Sequence, residues 1–365
     1  MGDPLRIGIV GIGTISGQYL ETLARLPEVR LVAAADLDPA RSVPGVPTMT
    51  PARLYASDDV DLVLNLTVPA AHASVALAAV AGGKHVYNEK PLALSTVEGA
   101  AVLSAAAAAG VRVGCAPDTV LGTGTQTARR CVDDGVIGTP VAATAFMVTP
   151  GHERWHPAPE FYYRPGGGPL FDMGPYYLTS LITLLGPVRR VTGLSATPRA
   201  TRTIGSGPRA GTSFPVEVPT HVTGALEHAG GAVTTLMMSF DVWSATLPRI
   251  EVYGTAGSLS VPDPNGFAGE VRVYSPDRGE WTVVPPSAGY PDAGRGTGLA
   301  DLAAALGSNT PHRANGELAY HVLDVMESLL RAADTGRAQE LASTCPRPTP
   351  ASPPFRTSEL PVRNH

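Results

Sequence analysis

The chain has 365 residues, of which 44% are hydrophobic and 16% charged, and its formal net charge is −5. This length suffices for two domains with separate cores, and the composition is typical of a globular protein despite 40 Gly and 35 Pro. The acidic balance and the lack of any Lys/Arg-rich run argue against nucleic acid or an anionic membrane as the main partner.

Cysteine usage and the start of the chain indicate the cellular compartment. Cys115, Cys131 and Cys345 are too few and too widely spaced for a disulfide framework or a thiolate metal site, which is typical of a reducing compartment. The opening "MGDPLRIGIVGIG" contains no basic segment or cleavage site, and its apolar run is too short to span a bilayer. We therefore expect a cytoplasmic protein.

The first 36 residues have the pattern of a dinucleotide-binding βαβ unit. The apolar strand "LRIGIV" runs into glycines, the helical pattern "TISGQYLETLARL" follows, and the strand "VRLVAAA" ends at Asp36. Gly11 and Gly13 allow a tight turn and close approach of a pyrophosphate to the helix N-terminus, where Thr14 and Ile15 lie. A carboxylate at position 36 can bind the ribose hydroxyls and repels a 2′-phosphate, so the pattern predicts NAD rather than NADP.

Strands and helices continue to alternate up to about residue 120. The strands "VDLVLNLTVP", "KHVYNEKP" and "VRVGCAP" are separated by helical segments, which predicts a parallel, doubly wound sheet with its ligands at the carboxyl ends of the strands. Helix capping is an equal alternative for His72, and Asp118, just after the fifth strand, is a candidate substrate contact. The residues predicted to contact the cofactor at these strand ends are Thr67, Pro69, His72, Glu89 and Lys90.

The stretch "PGHERWHPAP" at residues 150–159 contains the H-E-x-x-H pattern of zinc hydrolases. Its two imidazoles, His152 and His156, could bind one ion only if a helical turn brought them together. Pro157 disfavours the α conformation at His156, so we expect that this turn does not close and that no metal site forms. The stretch is predicted to be a loop.

Aromatic side chains in this loop suggest a different ligand. Ring faces stack on the C–H surfaces of sugars, while imidazole and phenol groups bond hydroxyls. Trp155, His156 and Tyr163 are therefore candidate substrate contacts. The alternative is a Pro-rich surface crossing whose aromatic rings are simply buried.

Two further motifs resemble those of a known family. "GKHVYNEKPLA" at 83–93 and "GGGPLFDMGPYYL" at 166–178, together with the glycine turn and Asp36, are similar to the GFO/IDH/MocA oxidoreductases. The resemblance spans residues 5 to about 335 and implies NAD(P)-dependent oxidoreduction of sugars or cyclitols. It also implies that Lys90, Asp172 and Tyr176 line the catalytic site. Tyrosine at position 176 departs from the histidine of inositol dehydrogenases and matches the glucose–fructose oxidoreductase branch.

Chemistry supports the same three residues. Interconversion of a carbinol and a ketone needs a group that takes or gives the hydroxyl proton. The unperturbed pKa of lysine, ~10.4, is too high for a base at neutral pH; burial lowers it and a nearby Asp172 raises it. Asp172 and Tyr176 are four residues apart near the start of the predicted helix "MGPYYLTSLITLL", with Pro175 in its first turn, so they share one face. Alternatively, Asp172 caps the helix and Tyr176 packs in the core.

From about residue 139 strands predominate, which predicts a large, mostly antiparallel open sheet. The strand "AVTTLMMSF" is apolar on both faces, so another subunit is expected to cover the outer face of the sheet. The resemblance likewise implies a homodimer or homotetramer formed through this sheet. The final helix "GELAYHVLDVMESLLRAADTG" is predicted to end at Gly336. The Pro-rich tail beyond it is expected to be extended, either bridging subunits or loosely held.

The predicted fold is α/β, with an N-terminal Rossmann doubly wound parallel sheet and a C-terminal α+β domain. We divide the chain into an NAD-binding domain (1–120), a substrate-binding and oligomerisation domain (121–344) and a C-terminal extension (345–365). The resemblance implies an NAD-dependent oxidoreductase acting on a hydroxyl or ketone of a sugar, glycoside or cyclitol. The alternatives are an enzyme that cleaves glycosides through transient oxidation and elimination, and a non-catalytic nucleotide-binding sensor.

Overall fold

The computed structural model describes residues 3–351, and its N-terminal part is built on a five-stranded parallel sheet with strand order β2-β1-β3-β4-β5. The order reverses between β1 and β3, which opens a crevice at the carboxyl ends of these two strands. The predicted doubly wound sheet is confirmed. Its strands are β1 (Leu5–Val10), β2 (Val29–Ala35), β3 (Leu62–Asn65), β4 (His85–Asn88) and β5 (Val113–Cys115). Its helices are α1 (Ser16–Leu23), α2 (Pro51–Tyr55), α3 (His72–Ala81) and α4 (Thr96–Ala109).

Both faces of the parallel sheet are buried, which explains why its strands read as continuous apolar runs. Alternate side chains enter different cores, because successive residues of a strand point to opposite faces. Ile9 and Leu64 belong to one buried cluster, whereas Val10 and Val63 belong to the other. The two faces together fix the carboxyl ends of the strands, where the predicted site residues lie.

The second part of the chain forms a nine-stranded sheet with order β15-β14-β13-β12-β6-β11-β10-β7-β16. All neighbouring pairs are antiparallel except β6 and β11, which run parallel, so the predicted mostly antiparallel sheet is confirmed. Its strands are β6 (Pro140–Val148), β7 (Val188–Ala196), β10 (His221–His228), β11 (Val233–Ser239), β12 (Ile250–Gly254), β13 (Gly257–Val261), β14 (Val271–Ser275), β15 (Glu280–Val284) and β16 (Gln339–Glu340). A separate short hairpin joins β8 (Thr201–Thr203) to β9 (Ser213–Pro215).

Helices α5 (Thr123–Asp133), α6 (Gly168–Leu185) and α8 (Gly316–Thr335) pack on this sheet, whereas α7 (Thr297–Ser308) packs on the parallel sheet of the N-terminal part. A glycine at 224 lets α8 approach the sheet, because a Cβ there would lie 2.8 Å from Cδ2 of Leu329. Gly336 ends α8 with φ 63°, as predicted.

Helix α6 begins five residues earlier than predicted, at Gly168 rather than Met173, so Pro175 lies inside the helix instead of in its first turn. A glycine-rich start favours a loop by intrinsic propensity, but burial of Leu170 and Phe171 in the core overrides that preference. An internal proline removes one backbone hydrogen bond and displaces a carbonyl one turn earlier. Here that carbonyl belongs to Phe171, and the next carbonyl, that of Asp172, accepts a hydrogen bond from Lys90.

Two features of the C-terminal third differ from expectation. Helix α7 packs its Leu299 and Leu302 into the core beside Ile9, so the boundary predicted at residue 120 leaves out a helix that completes the N-terminal core. The start of the Pro-rich extension is not loosely held: Arg347 donates to two backbone carbonyls of α6, and Ala351 is buried. The rest of the extension, residues 352–365, lies outside the described residues. Within residues 3–351, no helix is both long enough and apolar enough to cross a membrane.

Candidate active site

The glycine turn after β1 has the geometry of a phosphate cradle. Gly11 has φ +95°, and a Cβ there would lie 2.8 Å from the Leu66 carbonyl, so only glycine fits. A Cβ on Gly13 would meet no atom within 4 Å, which leaves the outer side of the turn open. The backbone N–H groups of Gly13, Thr14 and Ile15 have no acceptor among residues 3–351. Unpaired N–H groups at a helix N-terminus suit a pyrophosphate.

Asp36 lies at the carboxyl end of β2, as predicted, and points at the same turn. Its Oδ2 accepts a hydrogen bond from the Ile12 N–H at 2.7 Å, and its Oδ1 accepts one from the Asp38 N–H at 2.9 Å. Burial raises the pKa of Asp36, but these two N–H groups and the Arg41 guanidinium outweigh it and hold the pKa below its ordinary value. The group is therefore ionised at neutral pH and retains lone pairs for ribose hydroxyls.

The residues after β3 form the wall opposite the turn. Thr67 follows the strand and donates its hydroxyl to Asn65, and Pro69 begins a short 3₁₀ turn. His72 is only 1% exposed, with its ring nitrogens 2.6 Å from the Pro91 carbonyl oxygen and 3.1 Å from that of Thr67. The sequence had suggested that His72 either caps α3 or contacts the cofactor. In the structure it does not cap α3, and neither ring nitrogen is free to contact a cofactor. It joins the loop after β3 to the loop after β4.

The loop after β4 brings Glu89 and Lys90 to the crevice. Glu89 is buried and accepts hydrogen bonds from the Tyr19 hydroxyl at 2.9 Å and from the Lys90 N–H at 2.8 Å. Its carboxylate thus fixes the Lys90 backbone to helix α1. In this conformation Glu89 positions Lys90.

Lys90, Asp172 and His152 form a linked cluster from three separate segments. The Lys90 Nζ donates to the Asp172 carbonyl at 2.6 Å and to its Oδ1 at 2.9 Å. The other carboxylate oxygen of Asp172 lies 3.0 Å from the His152 Nε2, which must donate because the carboxylate accepts. The three side chains are 13–16% exposed, so the cluster is nearly enclosed but reachable.

The electrostatics of this cluster keep Lys90 charged. Burial lowers the pKa of Lys90, but the Asp172 carboxylate, Tyr176 and Glu89 raise it well above its ordinary value. Burial raises the pKa of Asp172, whereas Lys90 and His152 lower it to about 2. Two of the three ammonium hydrogens face Asp172, which leaves one for a ligand. Lys90 is therefore a hydrogen-bond donor at neutral pH and not a base.

Tyr176 completes the predicted catalytic set. The Lys90 Nζ lies 5.2 Å from the centre of the Tyr176 ring, and the phenol oxygen accepts a hydrogen bond from Nη1 of Arg295 at 3.0 Å. Among residues 3–351 the phenol hydrogen has no acceptor. Burial raises the pKa of Tyr176, so it is a neutral phenol at neutral pH. The helix-cap alternative for Asp172 does not apply, because the N-cap of α6 is Gly167, whereas the ring of Tyr176 is buried in the core, as the alternative for that residue expected.

The H-E-x-x-H stretch differs in part from its predicted form. The His156 N–H donates to the His152 carbonyl at 2.9 Å, so one turn does close despite Pro157. The two imidazoles nevertheless have different partners: His152 contacts Asp172, and the Nδ1 of His156 accepts from the Ala158 N–H. The glutamate, Glu153, is buried against Arg202. No group of three or more potential metal-ligating side chains occurs in the described part of the chain.

The aromatic loop places some, but not all, of the predicted substrate contacts at the cluster. Trp155 is 59% exposed, and its ring meets His152 and His156 edge-on at 5.4 Å. Tyr163 is fully buried and donates its hydroxyl to Glu153, so its assignment as a substrate contact is corrected. Its neighbour Tyr162 packs against His152 at 4.6 Å, and burial followed by the Asp172 charge raises the pKa of Tyr162 to about 12.

Asp118 also has a different role from the one predicted. It is fully buried, and its Oδ2 accepts hydrogen bonds from the N–H groups of Gly296 and Gly298 at 2.8 and 2.9 Å. Burial raises its pKa to about 6. Asp118 fixes the loop that begins α7 and does not reach a substrate.

Sequence reasoning missed His152 and Arg295 as members of the site, and of the two tyrosines in the aromatic loop, Tyr162 and Tyr163, it selected Tyr163. His152 was considered only as a zinc ligand, although its position upstream of Asp172 was a usable signal. The choice between Tyr162 and Tyr163 depended on which ring the core would bury. Arg295 lies 119 residues after Tyr176 in a glycine-rich loop, and no motif marks it.

Comparison with known proteins places this geometry in context. Residues 5–116 match the model of an oxidoreductase family with an NAD-binding Rossmann fold, and residues 125–260 match the GFO/IDH/MocA C-terminal domain. Inositol 2-dehydrogenase 3 of Saccharopolyspora erythraea is 35% identical over 149 residues, which cover 38% of this chain and 44% of that protein. The match thus spans less than half the length of that relative.

Two further proteins align along nearly the whole chain. The 1,5-anhydro-D-fructose reductase of Ensifer adhaerens is 25% identical over 351 residues, which cover 92% of this chain and 98% of that protein. The crystal structure of an NAD binding oxidoreductase from Klebsiella pneumoniae superposes with a TM-score of 0.81 at 22% identity, covering 94% of this chain and 100% of that one. The latter similarity shows a shared fold.

Proposed function

The chain belongs to the GFO/IDH/MocA oxidoreductases, a family with an NAD-binding Rossmann fold, and we propose that it transfers a hydride between NAD and a ring hydroxyl or ketone of a sugar or cyclitol. One observation carries the proposal. A charged Lys90, fixed by Asp172, and a neutral Tyr176 with a free hydrogen meet beside the crevice that the glycine turn borders. The names of the two relatives, a cyclitol dehydrogenase and a sugar reductase, support the substrate class.

The residues of the chain divide the proton chemistry between them. NAD, when bound, supplies the hydride acceptor or, reduced, the hydride donor. In the direction of ketone reduction, the free N–H of Lys90 donates to the carbonyl oxygen, and Tyr176 gives that oxygen its proton as the carbon is reduced. Carbinol oxidation is the reverse: the Tyr176 phenolate receives the hydroxyl proton and becomes the neutral phenol again. Asp172 keeps Lys90 charged and in place throughout.

The aromatic loop provides the surface that a polyol needs. Trp155 and Tyr162 offer ring faces for C–H groups, and His156 is a half-buried imidazole beside them that can bond a hydroxyl. The Nδ1 of His152 has no partner among residues 3–351, so it is free to bond a further hydroxyl. This mixture favours a neutral ring with several hydroxyls.

The outer face of the large sheet supports assembly of identical chains. Leu194, Thr223, Met237 and Phe146 lie in register across four neighbouring strands, and Leu194 is 67% exposed. A largely apolar, partly exposed row on a sheet suits a second copy of the same surface. We therefore propose a homodimer or homotetramer formed through this face.

A substrate screen tests the proposed reaction. Wild-type protein is incubated with NAD and a panel of sugars and cyclitols, and with reduced NAD and the matching ketones, while the absorbance of the reduced nicotinamide is followed. We expect turnover with at least one member, and a Tyr176→Phe variant should lower kcat by ~10²–10⁴-fold at unchanged NAD affinity. NAD binding without any turnover would indicate a sensor. Redox-neutral cleavage of a glycoside with catalytic NAD would indicate the elimination reaction.

A further inference from the structure

Arg295 is a half-buried cation held entirely by neutral groups. Its guanidinium donates to Gln18 Oε1 at 3.0 Å, to the Tyr176 hydroxyl at 3.0 Å and to Asn265 Oδ1 at 2.8 Å. These acceptors belong to helix α1, helix α6 and the loop between β13 and β14. Among residues 3–351 Arg295 forms no ion pair with a carboxylate. These three hydrogen bonds therefore set the position of the guanidinium, and no carboxylate of the described residues neutralises its charge by direct contact.

The loop that carries Arg295 is held in place just after Arg295 in the sequence. Asp118 accepts hydrogen bonds from the N–H groups of Gly296 and Gly298 with one buried oxygen. Gly296 has φ +106°, where a side chain would be strained, and a Cβ there would also lie 3.2 Å from the Tyr19 ring. The buried Asp118 thus holds the backbone that aims the guanidinium at Tyr176.

The contact determines what the phenol can do. Because the phenol oxygen accepts the Arg295 N–H, the phenol hydrogen is not used in this contact, and it has no acceptor among the described residues. Loss of that hydrogen would leave a phenolate 3.0 Å from a guanidinium nitrogen and beside the Lys90 ammonium, and both charges favour it. The groups whose charges act on Tyr176 are Lys90 and Arg295, which lower its pKa, and Glu89 and Asp172, which raise it; Tyr162 is a further ionisable neighbour.

We propose that Arg295 is a positioning residue that turns the Tyr176 hydroxyl hydrogen towards the substrate and stabilises the phenolate left after proton transfer. This proposal rests on the proposed function, in which Tyr176 is the proton donor. It assigns a purpose to a cation that no sequence motif marks. It also explains why Arg295 is held by amide oxygens: a carboxylate partner would weaken its effect on the phenol.

The direct test measures the ionisation of Tyr176 without requiring turnover. The tyrosinate absorbance of wild type is titrated against pH, that of Tyr176→Phe is subtracted, and the same difference is taken for Arg295→Gln with and without Tyr176→Phe. We expect the Tyr176 pKa to be higher in Arg295→Gln than in wild type, and intermediate in Arg295→Lys. An unchanged Tyr176 titration in Arg295→Gln would overturn the proposal, whether or not the enzyme turns over its substrate.

Kinetics supply the second readout. Arg295→Gln should lower kcat by ~10²-fold, with little change in KM or in the affinity for NAD, since a preorganised donor is lost. In the Tyr176→Phe background the same substitution should have almost no further effect, because the two residues act as one unit. Arg25→Gln is the matched control: Arg25 is exposed and donates to the Asp292 carbonyl of the same loop.

Two kinetic outcomes would contradict the proposal. An equal loss from Arg295→Gln with and without the Tyr176 hydroxyl would show that Arg295 acts independently of the phenol. Weaker NAD binding with unchanged kcat would show that Arg295 instead binds a phosphate of the cofactor. Unfolding by urea checks that the Arg295 variants are folded. If Arg295→Gln does not fold, Arg295→Lys, which keeps the charge, is measured in its place.

Discussion

Replacing Asp172 with asparagine removes the negative charge that both Lys90 and His152 contact, while keeping the side-chain volume. Lys90 then loses the strongest influence that raises its pKa, so burial dominates and its pKa should fall below the ordinary ~10.4. Two charge-assisted hydrogen bonds are weakened in a site whose side chains are only 15–16% exposed. We expect the free energy of unfolding to decrease by about 2–3 kcal/mol at pH 7.

The effect on catalysis should depend on pH in a way that reports on Lys90. In wild type the raised pKa keeps Lys90 protonated throughout the neutral range, so its donor function is lost only in strong alkali. In Asp172→Asn, kcat should be lower by ~10²–10⁴-fold at pH 7 and should fall further as the pH rises, because the amine deprotonates within the assay range.

The stability contribution of the pair has two limits. The lowered pKa of Asp172 means that its contribution is lost as the pH falls from ~4 towards 2, and the raised pKa of Lys90 means that its contribution is lost only as the pH rises above ~10.

Steady-state kinetics across pH 6–10 and urea unfolding measure these effects in the same preparations. Asp301→Asn serves as the control, because Asp301 is also a buried carboxylate, paired with Arg313, but lies outside the cluster. It should lose stability without acquiring the alkaline decline in kcat. If Asp172→Asn shows the wild-type pH profile, Asp172 does not keep Lys90 charged, and the electrostatic reasoning fails.

Three further outcomes are expected. NAD should bind more tightly than NADP, because Asp36 opposes a 2′-phosphate; calorimetry showing tighter NADP binding would contradict this and direct attention to Arg41, 3.6 Å from Asp36. Activity should survive EDTA, and loss restored by zinc would revive the metal-site hypothesis. Buried His321 accepts the Val188 N–H as a neutral ring, and burial lowers the pKa of His321 to about 4. The contribution of His321 to the free energy of unfolding should therefore decrease as the pH drops from ~6.5. Equal stability to urea at pH 7 and pH 5 would contradict this reasoning.

The sequence predicted most of what depends on short-range pattern. The glycine turn, Asp36 and the alternation of strands and helices are repeated local signals, and each has a direct physical reason. Lys90, Asp172 and Tyr176 also meet as expected, because the end of a strand and one face of a helix constrain where side chains can point.

Long-range packing determines the parts of the site that local sequence pattern did not predict. Tyr163 faces inward because buried Arg202 holds Glu153, which accepts the Tyr163 hydroxyl, and that arrangement leaves Tyr162 at the site. The turn at His156 closes despite the following proline, since Pro157 disfavours the α region without forbidding it. Arg295 reaches the cluster from a loop whose place is fixed by a buried Asp118, a contact that spans 178 residues.

Single-turnover formation of reduced nicotinamide by wild type and Lys90→Met, with the best carbinol substrate from the screen, tests hydride transfer at this cluster most directly. The methionine keeps most of the length of the side chain and removes the ammonium, so NAD should bind equally well to both proteins. The chemical step should be slower in the variant by at least ~10²-fold, or about 3 kcal/mol of lost transition-state stabilisation. A Lys90→Met variant that forms reduced nicotinamide at nearly the wild-type rate would contradict the assignment of the active site, whatever substitutions at Tyr176 do.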